Sequence, residues 1–114
     1  MNHFEIVLTG LPKISLNQWY SGSHWTKRKK IKDDYYWIIK DQTKHVFPRN
    51  KKYRVDYQFF FKNNPLDASN TIGLVKMVED TLFESDKYDI VTKISMSSCK
   101  GTEDKVIIKV EEYE

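Results

Sequence analysis

The amino-acid sequence predicts an α+β domain with one mixed β-sheet and two helices, spanning residues 1–114. Apolar and polar residues alternate near the start and in the middle of the chain, which is typical of strands with one buried face. Two longer segments have apolar residues every three or four positions, which is typical of amphipathic helices. Two further strand-like segments close the chain. The predicted order is βαβαββ, without repeats, low-complexity tracts or linkers.

The first strand and the first helix are predicted before residue 50. The strand ends at Gly10 and is indicated by the alternation of Phe4, Ile6 and Leu8 with Glu5, Val7 and Thr9. The helix runs from about Thr26 to His45, and Ser23 or Thr26 is its candidate N-cap. Residues 47–50, Phe-Pro-Arg-Asn, end it. Its periodic positions are Ile31, Tyr35, Ile38, Ile39, Gln42 and Val46.

The remaining elements follow after a second strand in the middle of the chain. That strand is indicated by the alternating residues Tyr53, Val55, Tyr57, Phe59 and Phe61. Phe60 is its one apolar residue out of phase, and residues 63–65, Asn-Asn-Pro, turn the chain. A second helix begins near Asn70 or Thr71 and ends at about Phe83. Two strands joined near residues 100–102 complete the prediction, Ile90–Ser98 and Asp104–Tyr113.

Composition indicates a folded domain of the reducing cytoplasm. Hydrophobic residues make up 39% of the chain, and four glycines and three prolines are too few for a disordered segment. No apolar run approaches the ~18 residues of a membrane span, and the first residues lack the features of a signal peptide. Cys99 is the single cysteine, so no internal disulfide is possible. We therefore expect a cytoplasmic protein with no membrane association.

The net charge of +3 conceals an asymmetry between the two halves of the chain. Residues 1–62 contain 13 lysines and arginines against 5 acids, whereas residues 63–114 contain 6 against 11. A basic surface next to clustered carboxylates is typical of nucleases, which need a phosphate-binding face and metal ligands. The alternative is ordinary variation in a solvated surface.

The acids of the second half cluster around the second predicted helix. At 100° per residue, Thr71, Leu74, Val75, Val78 and Leu82 share one sector, which should pack on the sheet. The opposite, exposed face carries Gly73, Lys76, Asp80 and Glu84.

Acids and an amide also flank this helix. Asp67 and Asn70 precede it, and Asp86 follows it and can fold back if the next strand runs beside the helix. Each residue also has a simpler interpretation: Asn70 as an N-cap, Lys76 with Asp80 as an i,i+4 ion pair, and Asp86 as a turn residue.

Taken together, these residues resemble the RusA-type Holliday-junction resolvases. The residues that carry the resemblance are Asp67-Ala68-Ser69-Asn70, a lysine on the following helix, Glu79-Asp80-Thr81-Leu82, and an acid near Asp86. The opening is similar as well, with a strand followed by Gly10-Leu11-Pro12, Ser15-Leu16-Asn17 and Tyr20. The resemblance implies a small, homodimeric, Mg²⁺-dependent endonuclease (Mn²⁺ is a possible substitute) that acts on branched DNA in recombination, repair or phage DNA processing, in a bacterial or phage-infected cell.

The resemblance also implies roles for single residues. Asp67, Asp80 and Asp86 would be metal ligands and catalytic residues, and Asn70 matches the asparagine of the motif. Lys76 would contact the scissile phosphate, although it comes about one helical turn late relative to Asn70.

The chain departs from the family pattern at two positions. Ser69 and Ser85 stand where the family usually has acids. Glu79, Glu84 or Asp89 are the candidate substitutes. The alternative function is therefore a catalytically weak or inactive DNA-binding module of the same fold, and a third is an interaction protein whose acidic face binds a basic partner.

DNA binding is expected from the first half of the chain. Lysines and arginines make phosphate contacts, and aromatic rings stack on unpaired bases. The candidate basic residues are Lys27, Arg28, Lys29, Lys30 and Lys32, and the aromatic candidates beside them are Trp19, Tyr20, His24 and Trp25. The alternative is a solvated helix face with Trp25 in the core.

Other classes of chemistry lack their motifs. His3, His24 and His45 have no metal-ligand spacing. The sequence also contains no CxxC, no GxSxG and no glycine-rich phosphate loop. We therefore expect no zinc, thiol or serine-hydrolase chemistry and no nucleotide cofactor.

Overall fold

A four-stranded mixed β-sheet organises the protein. The structure is a computed structural model that describes residues 2–14 and 25–113, and the side chains of all of these except 25–27. The strands follow the order β1-β4-β2-β3 across the sheet. β2 and β3 are parallel, and the other two pairings are antiparallel. Their bounds are Asn2–Thr9 for β1, Lys52–Phe61 for β2, Val91–Lys100 for β3 and Lys105–Tyr113 for β4.

Two α-helices and one 3₁₀ turn complete the described chain. Helix α1 spans Trp25–Gln42, and helix α2 spans Ile72–Leu82. A 3₁₀ turn, Ala68–Thr71, runs directly into α2. The predicted α+β class, the βαβαββ order and the mixed sheet are confirmed. Among the described residues, no helix is long and apolar enough to cross a membrane.

The core lies between one face of the sheet and the two helices. The alternating residues of β2 from Tyr53 to Phe61 are buried, and their neighbours on β4 are Val106, Ile108 and Val110. Tyr35 and Ile39 of α1 reach the same core. The opposite face of the sheet carries charged pairs such as Arg54 and Glu111, whose side chains lie 2.6 Å apart. The helix side of the sheet is therefore the buried side, and the opposite side carries the charged groups.

The connection from β3 to β4 passes over the end of β2, which lies between them. The backbone N–H of Gly101 donates to the Phe61 carbonyl at 2.9 Å, and the N–H of Lys62 donates to Asp104 Oδ1 at 2.8 Å. Sequence periodicity predicted the two strands and their junction. It carried no information on which strand lies between them, because strand order depends on non-local pairing.

Helix α1 ends at Gln42, earlier than the predicted His45. The Gln42 side chain donates to the Thr9 carbonyl at 2.7 Å and accepts the Thr9 N–H at 2.8 Å, which ties the helix end to β1. Phe47 is then drawn into the core, where its N–H donates to the Leu82 carbonyl at 2.7 Å. These tertiary contacts replace the last predicted turn of helix. The candidate cap Ser23 lies outside the described residues, and Thr26 lies within α1 rather than at its N-cap.

Candidate active site

Helix α2 presents the predicted apolar sector to the core. Thr71, Leu74, Val75, Val78 and Leu82 are all buried, as their spacing predicted. The prediction that Gly73 lies on the exposed face is wrong, because Gly73 is buried. The buried arc of α2 is wider than the predicted sector because α1 also packs against α2. Positions beside the sector are therefore buried as well. Lys76 and Asp80 remain exposed, as predicted.

Glu79 is the unusual residue of this helix. It is only 5% exposed, and its Oε2 atom has no hydrogen-bond partner. The pKa of Glu79 is raised to about 7, mainly by burial and in addition by the nearby negative charge of Asp86 and a hydrogen bond to it. Asp80 adds to this rise, and Lys76 opposes it. A carboxyl group held in this way exchanges its proton near neutral pH.

Asp86 therefore folds back to α2, although it lies in the loop that leads to β3. Its charge acts on both Glu79 and Asp80 and raises the pKa of each. The structure thus brings together three acids of the sequence cluster, Glu79, Asp80 and Asp86. Two of them, Asp80 and Asp86, were predicted site residues.

Asp80 connects this acidic group to the basic helix. Desolvation raises the pKa of Asp80, and the charge of Lys32 counteracts the rise. The Lys32 Nζ atom lies 3.9 Å from Asp80 Oδ2, and both side chains are about half exposed. The predicted ion pair of Lys76 with Asp80 is thus replaced by one that links α1 to α2, although Lys76 also lowers the pKa of Asp80.

Tyr57 of β2 lies beneath the acids. Its hydroxyl group is buried and has no hydrogen-bond partner. Burial raises the pKa of Tyr57 well above its ordinary value, and the charges of Glu79 and Asp80 raise it further. Tyr57 Oη and Glu79 Oε2 are thus two buried polar atoms without partners in one electrostatic neighbourhood. Such atoms are rare in folded proteins and call for an explanation such as a bound water or ion.

The structure does not join Asp67 to this group. Asp67 precedes the 3₁₀ turn, is exposed, and is not among the charges that shift the pKa of Glu79 or Asp80. Asn70 lies inside the turn, and the N-cap of α2 is Thr71, so the interpretation of Asn70 as a cap is wrong. The reason is that the 3₁₀ turn already has helical backbone when it reaches α2. Ser69, the departure from the family motif, is exposed.

The other candidate substitutes have different surroundings. Glu84 lies beyond the end of α2, and its Oε1 atom accepts the backbone N–H of Arg49 at 2.9 Å. Ser85 Oγ accepts the N–H of Lys87 at 3.3 Å, as expected for a turn. Asp89 is exposed in the turn before β3. Of the three proposed substitutes, only Glu79 lies with Asp80 and Asp86.

The acids of this group offer only a few carboxylates to a divalent cation. Among the described residues, no three histidine, cysteine, aspartate or glutamate side chains form a group that could hold a metal ion. Mg²⁺, however, usually takes only one or two protein carboxylates and completes its shell with waters and substrate phosphates. The unpartnered Oε2 atom of Glu79 and the neighbouring Asp86 supply such a pair. The number of carboxylates in this pair therefore fits Mg²⁺, and Asp67 is not part of the pair.

The basic helix is partly neutralised by its own acids. Lys29 pairs with Asp33 at 2.9 Å and Lys30 with Asp34 at 3.3 Å, each one helical turn apart. Exposed pairs of this kind contribute only about 0.2–1 kcal/mol, so a phosphate group can compete for the lysines. Arg28 is half-buried.

Several binding candidates lie outside the described residues. The side chain of Lys27 is among them, as are the aromatic candidates Trp19, Tyr20 and His24 and the side chain of Trp25.

Two residues of the site were not predicted from the sequence as its main residues. Glu79 was only a possible substitute, and Tyr57 was taken as an ordinary core residue. The available signal was the position of Glu79 directly beside the apolar sector of α2, one residue after the buried Val78. A glutamate at such a position is almost never fully buried unless it is paired or functional.

Comparison with known proteins yields no assignment. No family model matches the chain, and no curated protein matches it. The likeness to RusA-type resolvases therefore depends on the motif residues alone.

Proposed function

We propose that the protein is a RusA-like, metal-dependent endonuclease that cuts branched DNA in recombination, repair or phage DNA processing. The observation that carries this proposal is the buried Glu79 carboxylate, which has one unpartnered oxygen and lies beside Asp86, Asp80 and Lys76. Folding this group without a ligand is costly, because mutual repulsion and burial both oppose ionisation. A divalent cation removes both penalties.

Each residue of the group has a defined task in this proposal. Glu79 and Asp86 would hold Mg²⁺, which when bound supplies Lewis acidity and an activated water for phosphodiester hydrolysis. Lys76 is exposed beside them and would neutralise the charge that grows on the phosphate. Asp80 pairs with Lys32 of α1, and this lysine would orient the DNA backbone.

Asp67 stays in the proposal as a second, separable part of the site. Its matched motif position gives it a ligand role in the resemblance, whereas its electrostatic neighbourhood does not include Glu79. Substitution decides between the two: loss of cleavage in Asp67→Asn with unchanged or tighter junction binding supports a ligand role. Retained cleavage would remove Asp67 from the site.

The assembly and location follow from the same proposal. A four-way junction has two-fold symmetry and is resolved by two matched nicks, so a symmetric homodimer presents two sites in the required relation. We propose the bacterial or phage-infected cytoplasm as the place of action, with no nucleotide cofactor and no membrane association.

A nicking assay on a synthetic four-way junction tests the function. Wild-type protein should give paired symmetric nicks with Mg²⁺ or Mn²⁺, none with EDTA, and none on a linear duplex. Glu79→Gln and Asp86→Asn should lose at least about 100-fold of the cleavage rate, since each removes a ligand charge. The matched control is Glu5→Gln, an exposed acid on β1, which should cut like the wild type.

A second candidate is a DNA-binding module of the same fold without cleavage. It is favoured by Ser69 and Ser85, which stand at the family's acidic positions. Tight, salt-dependent junction binding without nicks under either metal would establish this function instead. Neither binding nor nicking would refute both.

A further inference from the structure

Helix α1 carries a pair of exposed aromatic rings. Trp37 is 69% exposed and Tyr36 is 44% exposed. Their ring centroids lie 5.2 Å apart at an interplanar angle of 89°, so the edge of one ring packs against the face of the other. Large apolar surface of this kind lowers solubility, and a rigid aromatic pair on a helix costs little entropy to order on binding.

The pair borders the acidic group. Tyr36 lines a cleft of about 180 Å³ together with Lys32, Asp33, Met77, Asp80 and Thr81. The cleft joins the exposed side of α1 to the exposed side of α2. A ligand seated on the Tyr36 ring would therefore lie beside Asp80 and its partner Lys32.

Lysines and arginines outnumber acids on the helix that carries the rings, although Lys32 is paired with Asp80. Helix α1 contains six lysines and arginines against three aspartates. Two of the aspartates, Asp33 and Asp34, are paired with lysines, and the third is Asp41. Lys40 Nζ lies 5.7 Å from the centroid of the Tyr36 ring, which places a cation directly at the aromatic pair.

We infer that Trp37 and Tyr36 form a stacking platform for an unpaired nucleobase of the DNA substrate, next to Asp80 of the acidic group. Aromatic faces take any base, while the flanking lysines take the phosphates on either side of it. A branched substrate exposes such bases where its arms meet. The inference rests on the proposed function, because it identifies the part of the DNA that this site receives.

A binding assay with a fluorescein-labelled oligothymidylate tests the platform. The comparison probe is an abasic oligonucleotide of equal length, which keeps the phosphates and lacks the bases. Anisotropy in EDTA should show Trp37→Ala binding oligothymidylate about 5- to 150-fold more weakly than the wild type. Its affinity for the abasic probe should be unchanged, and Trp37→Phe should retain most of the wild-type affinity.

The matched control is Tyr88→Ala, because Tyr88 is 89% exposed, lies before β3 and is not one of the cleft residues. It should bind both probes like the wild type. Equal affinity of Trp37→Ala and wild type for oligothymidylate would overturn the platform. So would an equal loss on both probes, or a shift from dimer to monomer in sedimentation, which would assign Trp37 to a contact between copies of the chain.

The two proposals fail separately in these assays. Binding is measured without metal, so the absence of cleavage leaves its readout intact and refutes only the nuclease. Normal junction cleavage combined with no discrimination against the abasic probe refutes only the platform.

Discussion

The buried carboxyl group of Glu79 on α2 lies against the carboxyl group of Asp86 in the loop that precedes β3. Parallel pairing of β2 and β3 requires the chain to return along α2, and this return brings the loop back to the helix. Glu79 and Asp86, which are seven residues apart in the sequence, thereby lie next to each other. Their repulsion and the burial of Glu79 are the physical basis of the predictions that follow.

The stability of the protein should depend on pH through Glu79. Its pKa is raised from 4.5 to about 7 in the folded chain, so the folded state binds more protons than the unfolded state between these values. The free energy of unfolding should therefore fall as pH rises from about 4.5 to about 7, by on the order of 3 kcal/mol. Below about pH 4.5 the folded protein does not bear the free-energy cost of ionising Glu79, and above about pH 7 it bears that cost in full.

Urea denaturation of Glu79→Gln at several pH values measures this effect. The glutamine mimics the protonated acid, so the variant should be more stable than wild type at pH 8 and similar to it near pH 4.5. Glu5→Gln, at an exposed position on β1, is the control and should follow the wild-type curve. A stability difference between Glu79→Gln and wild type that does not change with pH would contradict the prediction.

Removing the unpartnered hydroxyl group of Tyr57 should not destabilise the protein. Its oxygen is buried without a hydrogen bond, and such a group costs about 1–3 kcal/mol. Tyr57→Phe should therefore equal or exceed the wild type in free energy of unfolding. The control is Tyr53→Phe, which loses a 2.7 Å bond to the Pro48 carbonyl and should cost about 1 kcal/mol. A loss in Tyr57→Phe as large as in Tyr53→Phe would mean that an ordered water satisfies Tyr57.

Much of the fold was predictable because it depends on local periodicity. The alternation from Tyr53 to Phe61 and the helical spacing from Leu74 to Leu82 each determined both the element and its buried face. The end of α1 and the order of the strands were not predictable. They depend on contacts between distant segments, such as Gln42 with Thr9.

The residues of the candidate site also fall into two groups, those predictable from local periodicity and those that depend on contacts between distant segments. Lys76 and Asp80 on one helix face followed from periodicity, whereas the approach of Asp86 required the path of the loop before β3. Glu79 was undervalued because helical spacing alone places it at the border of the apolar sector. Its burial depends on tertiary packing that brings Tyr57 of β2 and the loop with Asp86 to this side of α2, which no local pattern reports.

Divalent cations should stabilise the protein through Glu79 and Asp86. A ligand that binds only the folded state raises the free energy of unfolding by about 2.7 kcal/mol when its concentration is 100 times its dissociation constant. At pH 8, saturating Mg²⁺ should therefore raise the melting temperature of wild type, and EDTA should reverse the rise. Asp86→Asn should abolish the shift, while Asp56→Asn, on the opposite face of the sheet, should retain it. An equal shift in both variants would indicate that Mg²⁺ acts elsewhere.

The lysines of α1 should set the salt dependence of DNA binding. Each phosphate contact that is lost lowers the slope of log affinity against log salt by about 0.9. Combined substitution of Lys29, Lys30 and Lys32 by glutamine should therefore flatten the slope by about 3 and weaken junction binding at low salt. The control is Lys109→Gln. Lys109 is exposed on the opposite face of the sheet, and its variant should keep the wild-type slope.

Because Lys29 and Lys30 are paired with Asp33 and Asp34 in the free protein, phosphate has to displace these carboxylates. A wild-type slope in the triple variant would show that the lysines stay paired with these carboxylates and that the DNA binds another surface.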